Sequence, residues 1–387
     1  MNESENSFDL SELIELRKTI HANPELAHEE KNTAERLTRF IKKFNPDKII
    51  ERIAGNGVAF IYEGNKNGPV ILLRAELDAL PITEECEFDY KSVNNGVSHK
   101  CGHDGHMTIL AGLARKLNEN KINKGKVVLL FQPAEEIGEG AEKIINDKKF
   151  TEIKPDYAFA LHNLPGFKKH EIIIRNNTFA AASVGMKVEL KGKTSHAAHP
   201  ENGISPSDAV ADIIKKFNSV INAIKNENFD FGLVTIIHVS IGEKAFGTSP
   251  GYAEVYATLR ANSDADLEVI KSKCVEIVEL IAKEEKLKSE ISWTEAFPAT
   301  VNDPEAVDFI ISAANQLKLN IKNIDSPFRW TEDFGHFTKT YTGALFGLGA
   351  GKQTPQLHNP DYDFPDELIL TGINIFHTII QNILAEE

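Results

Sequence analysis

Two polar runs in this chain carry residue types that could do chemistry together: His99-Lys100-Cys101-Gly102-His103-Asp104-Gly105-His106 and, later, Gln132-Pro133-Ala134-Glu135-Glu136. A thiolate and an imidazole two residues apart can reach one borderline-soft cation from an extended loop. Consecutive residues leaving a strand point different ways, so one of two adjacent glutamates can ligate while its neighbour moves a proton. A lone Cys or His is more often a core residue, and an isolated Glu-Glu is usually a solvated face. Here Cys101 and His103 sit among glycines with two further histidines, and Glu135-Glu136 directly follows an apolar run and a Pro. The spacing therefore predicts a metal centre with its own base, in which Cys101 ligates as a thiolate and Asp104 and His106 orient ligands by hydrogen bonds.

Two other histidines invite a similar reading. His162 comes immediately after the apolar run 157–161, which favours a ligand over a structural histidine. His358, in Gln356-Leu357-His358-Asn359-Pro360, lies in a turn-rich segment where a surface loop histidine is the alternative.

Positioning these residues requires strands that end near one another. Helices are expected over 10–23 and 31–44, then apolar strands at 58–62, 70–73, 127–131 and 157–161, with a helix at 107–117 among them. Buried strands alternating with helices predict an α/β sheet layered by helices. Ligands gather at the carboxyl ends of strands in such sheets, and Asp78, Glu135, Glu136 and His162 each follow a strand. From about residue 183 the pattern changes to β-α-β-β-α-β: an alternating strand at 183–190, a helix opening at Ser205-Pro206-Ser207-Asp208, strands at 233–240 and 252–260, a helix at 264–287 and a strand near 290–294. That order is the ferredoxin-like unit. A helix at 304–317, a strand near 344–348 and a last helix at 366–384 then resume the α/β pattern, so residues 183–294 read as an insertion between catalytic parts 1–182 and 295–387.

Composition bounds the function. With 387 residues the chain suits two domains. A net charge of −14 argues against nucleic acid or an anionic membrane as partner. Three widely spaced cysteines indicate no disulfide framework, and with no signal or spanning segment evident the expectation is a soluble cytoplasmic protein.

At these residues the chain resembles the M20 metallopeptidases, within them the amidohydrolase branch of hippurate hydrolases, N-acyl-amino-acid deacylases and auxin-conjugate hydrolases. Six motifs fall in the family's order: Arg74-Ala75-Glu76-Leu77-Asp78, Cys101-Gly102-His103-Asp104-Gly105-His106, Phe131-Gln132-Pro133-Ala134-Glu135-Glu136, Ser195-His196, Glu332-Asp333-Phe334 and Leu357-His358-Asn359-Pro360. The resemblance implies a metallo-exopeptidase-type catalytic domain interrupted by a lid that makes a homodimer. It also implies two divalent ions (Zn, Mn, Co or Ni), with Cys101 bridging, His103 and His162 on one ion and Glu136 and His358 on the other. Glu135 becomes general base and then acid, Asp78 orients a ligating neighbour, and His196 reaches a partner subunit's site to stabilise the oxyanion. The sequence departs from the pattern at Glu76, where Asp is more usual, and at Phe328-Arg329-Trp330-Thr331, where smaller residues are commoner.

The implied reaction is hydrolysis of the amide of a small N-acyl amino acid. Arg260, ending a lid strand, could pair with the substrate carboxylate or be an ordinary surface arginine. An N-acetyl-diaminopimelate deacetylase, a dipeptidase and a non-catalytic binding relative are the alternatives, although pure binding has no use for a base beside a ligand. A dinucleotide-dependent enzyme is a poor reading: no GxGxxG follows the early strands, and the Gly-rich Gly347-Leu348-Gly349-Ala350-Gly351 comes too late and lacks a following helix.

Overall fold

The four apolar runs of the first half are strands, each longer than its apolar part. In the computed structural model, which describes residues 9–224 and 229–385, the chain forms β1 (Lys48–Ile53), β2 (Gly57–Glu63), β3 (Lys66–Glu76), β4 (Lys124–Gln132), β5 (Tyr157–Pro165), β6 (Ile172–Ile174), β7 (Ile321–Asn323) and β8 (Thr342–Gly351). They make one mixed sheet in the order β1-β2-β4-β3-β5-β8-β6-β7. Its middle strands β4, β3, β5 and β8 run parallel, while β1 and β2 add an antiparallel edge. Helices Ser11–Ala22, Lys31–Ile41, His103–Glu119, Pro304–Gln316 and Leu368–Leu384 belong with this sheet. The His103–Glu119 helix is buried on all sides through Ala114, so its first residues are held inside the unit. The Pro304 helix starts as expected, with the Asp303 carboxylate accepting the Glu305 N–H.

The chain divides into two compact units, the smaller made of Ala180–Ala299 and Pro327–Glu332. Its strands follow the order Gly232–Ile241, Tyr252–Ala261, Ala182–Lys191, Lys288–Phe297, all antiparallel. This is the ferredoxin-like order. Val184, Met186, Val188 and Leu190 alternate inward as their period requires and pack with Phe217 and Ile270 of the helices Ser207–Ile224 and Asp264–Glu284 in a separate core. The unit extends past the expected 183–294 because strand Lys288–Phe297 runs three residues beyond residue 294. It also takes in the unusual Phe328-Arg329-Trp330-Thr331 segment, where Phe328 and Trp330 stack at 4.9 Å and the Ala181 N–H donates to the Phe328 carbonyl at 3.0 Å. No helix of the described residues is long and apolar enough to cross a membrane.

Candidate metal centre

Three chain segments converge at the carboxyl ends of the parallel strands, all within the large unit. β3 delivers Asp78, β4 runs into Glu135 and Glu136, and His162 lies within β5, which continues three residues beyond it. Cys101 and His103 flank Gly102, where a φ of 90° and a 2.6 Å approach of Asn163 Oδ1 to the Cβ position would make any side chain strained and displace Asn163. Cys101, His103 and His162 offer ligand atoms that all lie within 4.8 Å of one another, and Cys101, Glu136 and His358 form a second such group. Cys101 belongs to both. Its Sγ is 3.5 Å from His162 Nε2, and His103 Nε2 is 3.8 Å from Glu136 Oε1 and equally far from Glu135 Oε2. His358 Nε2 stands 3.9 Å from Glu136 Oε2, on a largely exposed side chain.

The hydrogen bonds around these groups set which ring nitrogen of each histidine can ligate. His103 Nδ1 donates to the Asp78 carbonyl at 2.8 Å, so Nε2 carries the lone pair, and that buried atom has no hydrogen-bond partner among the described residues. His162 Nδ1 likewise donates to the Asn163 carbonyl at 3.0 Å, turning Nε2 toward Cys101. Burial pushes both imidazoles down to about 3, keeping them neutral ligands. Burial also pushes the Cys101 thiol well above its usual range, with the charges of Glu136, Glu135 and Glu76 adding to it. Asp78 is pushed up to about 7 by burial and by the charge of Glu30, against a bond from the Glu136 N–H. A cluster that resists negative charge this strongly, while presenting one thiol, two imidazole nitrogens and carboxylates, fits divalent cations of borderline softness.

Residues 72–382 match the family described as Peptidase family M20/M25/M40. The chain belongs to this family. It is 32% identical over 381 residues to the N-acetyl-L-cysteine deacetylase of Bacillus subtilis, covering 96% of this chain and 88% of that one. It is 31% identical over 367 residues to the hippurate hydrolase of Campylobacter jejuni, covering 94% of each. Among solved structures, the Bacillus subtilis YXEP protein, described as a dinuclear metal binding peptidase from the M20 family, superposes with a TM-score of 0.83 at 25% identity, covering 99% of this chain and 100% of that one. This M20 protein is accordingly a hydrolase.

Within the M20 chain Asp78 works through two atoms. Its carbonyl orients His103, while carboxylate Oδ2 accepts the Glu136 N–H at 2.9 Å; the carboxylate itself stays 3.8 Å from the imidazole. His106 lies behind the ligands, with Nδ1 2.7 Å from Glu76 Oε2 and its ring edge-on to His162 at 4.9 Å. The longer Glu76 bridges His106 and the buried Arg74, and the Arg74 charge together with the His106 bond holds its carboxyl well below the usual range despite burial. Arg74 also pairs with Asp333 at 2.5 Å. Asp104 turns away from the ligands: it bonds Arg17 Nη1 at 2.9 Å and His21 Nδ1 at 2.8 Å, pinning the helix start to Ser11–Ala22.

Sequence reasoning missed Glu30 and Asn163. Glu30 is fully buried and accepts the N–H of Ala134, the residue before Glu135, at 2.8 Å; written as Glu29-Glu30 it reads as a solvated pair heading a helix. The signal would have been a carboxylate needed by Ala134, whose φ of 54° no sequence pattern reveals. His196 and Arg260 lie on the small unit. The exposed His196 sits in a ribbon with Thr248–Ser249, and its Nδ1 accepts the Ala198 N–H at 3.0 Å, so Nε2 holds the proton of the neutral ring. Arg260 Nη1 donates to the Arg329 carbonyl at 2.9 Å.

Proposed function

We propose that this M20 hydrolase cleaves the amide bond of N-acyl amino acids, giving a carboxylic acid and a free amino acid, with two divalent ions held by Cys101, His103, His162, Glu136 and His358. The observation that carries this reading is that Cys101 is common to both ligand groups. Zn, Mn, Co and Ni all suit such a mixed S, N and O set, and a free thiol suits a reducing, cytoplasmic compartment. Bound there, the ions would supply Lewis acidity at the carbonyl oxygen and make hydroxide available near neutral pH.

The chain's own residues account for the proton and the geometry. Glu135, buried and 3.8 Å from His103 Nε2, takes the proton of the attacking water. As the C–N bond breaks it returns that proton to the leaving nitrogen, so the base becomes the acid. Asp78 keeps His103 and Glu136 in place through its two bonds. His196, whose protonated Nε2 suits donation, stabilises the oxyanion in a partner subunit's site of a homodimer formed through the small unit. Arg260 binds the substrate α-carboxylate. The acyl-amino-acid class is supported by the names of the two relatives, a hippurate hydrolase and an N-acetyl-L-cysteine deacetylase.

The test restores Zn, Mn, Co and Ni separately to metal-stripped protein and assays hippurate, a panel of N-acetyl amino acids, N-acetyl-diaminopimelate and dipeptides. Metal-dependent turnover of N-acyl amino acids is expected. Hydrolysis confined to dipeptides, or undiminished without metal, contradicts the reading.

A further inference from the structure

Lys100 is a buried lysine in a place where an apolar residue would cost less. Its side chain is fully buried, and the ammonium donates to Glu84 Oε1 at 2.5 Å and to the Tyr362 carbonyl at 2.7 Å, with Cys86 Sγ at 3.4 Å. Glu84 is itself fixed, by His21 Nε2 at 2.9 Å and the Ser92 N–H at 2.7 Å. At the other end of the residue, the Lys100 carbonyl accepts the His358 N–H at 2.8 Å. Lys100 therefore ties the segment 358–362 to the residue next to Cys101 at two points, one by main chain and one by side chain. His358 has a φ of 65°, a left-handed conformation that a non-glycine residue keeps only when its surroundings enforce it. Its side chain is also the most exposed of the five proposed ligands, so packing around the imidazole contributes little to its aim.

We propose that Lys100 is a positioning residue for the second ion: its buried ammonium, anchored on Glu84, holds the His358 loop at the distance from Cys101 that lets both bind one cation. This rests on the two-ion reading. A methionine fills similar volume but cannot hold the Tyr362 carbonyl, so the loss should fall on the ion that His358 shares and spare the one that His103 and His162 share. Outer partners of metal ligands typically affect affinity by about 10–100-fold.

Co2+ alone is the probe, titrated into metal-free wild type, Lys100→Met, Lys100→Met with Glu84→Gln, and His358→Ala, with chelator competition giving both dissociation constants. Circular dichroism and Tm report folding. The double variant is included because Lys100→Met alone removes one of the two basic partners of the buried Glu84 carboxylate, leaving His21. The expected result is two ions in wild type, and in the Lys100 variants one ion at wild-type affinity with the other weakened about 10–100-fold, the pattern of His358→Ala. Two ions at wild-type affinity in a folded Lys100 variant overturn the proposal and leave the two-ion reading intact; so does equal weakening of both. Fewer than two ions in wild type overturns both. Failure of both Lys100 variants to fold makes the residue structural and also ends the proposal.

Discussion

Replacing Glu30 should damage the active site without touching a ligand. Its carboxylate accepts the N–H groups of Ala134 at 2.8 Å and His28 at 2.9 Å, and the Asn56 side-chain amide at 2.9 Å. Hydrogen bonds to a charged group contribute about 1.5–3 kcal/mol each, and a buried donor left without an acceptor costs about 1–3 kcal/mol. Ala134 adds about 1–2 kcal/mol of left-handed strain that its bond to Glu30 offsets. Because the bonds share one carboxylate they do not sum, and Glu30→Ala should cost about 3–5 kcal/mol. Glu30→Gln keeps an oxygen where Oε1 accepts both N–H groups and loses the Asn56 bond to Oε2, so it should cost about 1–2 kcal/mol. Freed from this anchor, the turn carrying Glu135 and Glu136 shifts, and a displacement near 1 Å lowers kcat about 100-fold. Ala134→Gly is the control: relief of strain opposes the roughly 1 kcal/mol of added chain entropy, leaving stability within about 1 kcal/mol of wild type. Urea unfolding of the metal-free protein and steady-state hydrolysis of hippurate at saturating metal measure both effects. A Glu30→Ala protein within about 1 kcal/mol of wild type and with unchanged kcat would show that Glu30 does not anchor the Glu135 turn.

Glu135→Gln should retain metal and fold yet lose at least ~100-fold in kcat; near-normal turnover with verified metal content removes Glu135 as the base. Against burial, the bonds to Asp104 and Glu84 raise His21 to about 9 from 6.5, so its stabilisation is complete below pH 6.5 and is lost as pH rises through 9. Between pH 6.5 and about 10, metal-free wild type should lose about 3 kcal/mol more than His21→Gln does, and equal losses in urea unfolding would show that His21 is not held charged. If His196 serves a partner's site, mixing nearly inactive His196→Ala and Glu135→Gln subunits should restore about a quarter of wild-type activity, since roughly half the dimers are mixed and each has one intact site. No recovery after verified exchange sets the cross-subunit role aside.

Much of the site was legible because its chemistry is bound to chain order. Cys101 and His103 are separated by a glycine in a polar run that leads into a helix, and Glu135-Glu136 and His162 are tied to strands whose apolar runs are unmistakable. Short or irregular pieces were not legible. β6 and β7 have three residues each, and β1 is an edge strand interrupted at Arg52, where φ is 58°; none has the length for a period to show. The fate of Asp104 was hidden for another reason. Its partners Arg17 and His21 lie more than eighty positions away, and a motif gives no hint that its carboxylate faces them and not the ligands. Glu30 and Lys100 read as ordinary surface charges, and only packing reveals them as buried ones with assigned acceptors or donors.

Elemental analysis of cobalt-loaded protein after gel filtration decides whether one thiolate serves two ions. Wild type should carry two ions per chain, and so should Cys86→Ala and Cys274→Ala, whose thiols lie in neither ligand group. Cys101→Ala should be depleted at both positions while keeping its fold. Two ions per chain in Cys101→Ala would contradict a shared thiolate.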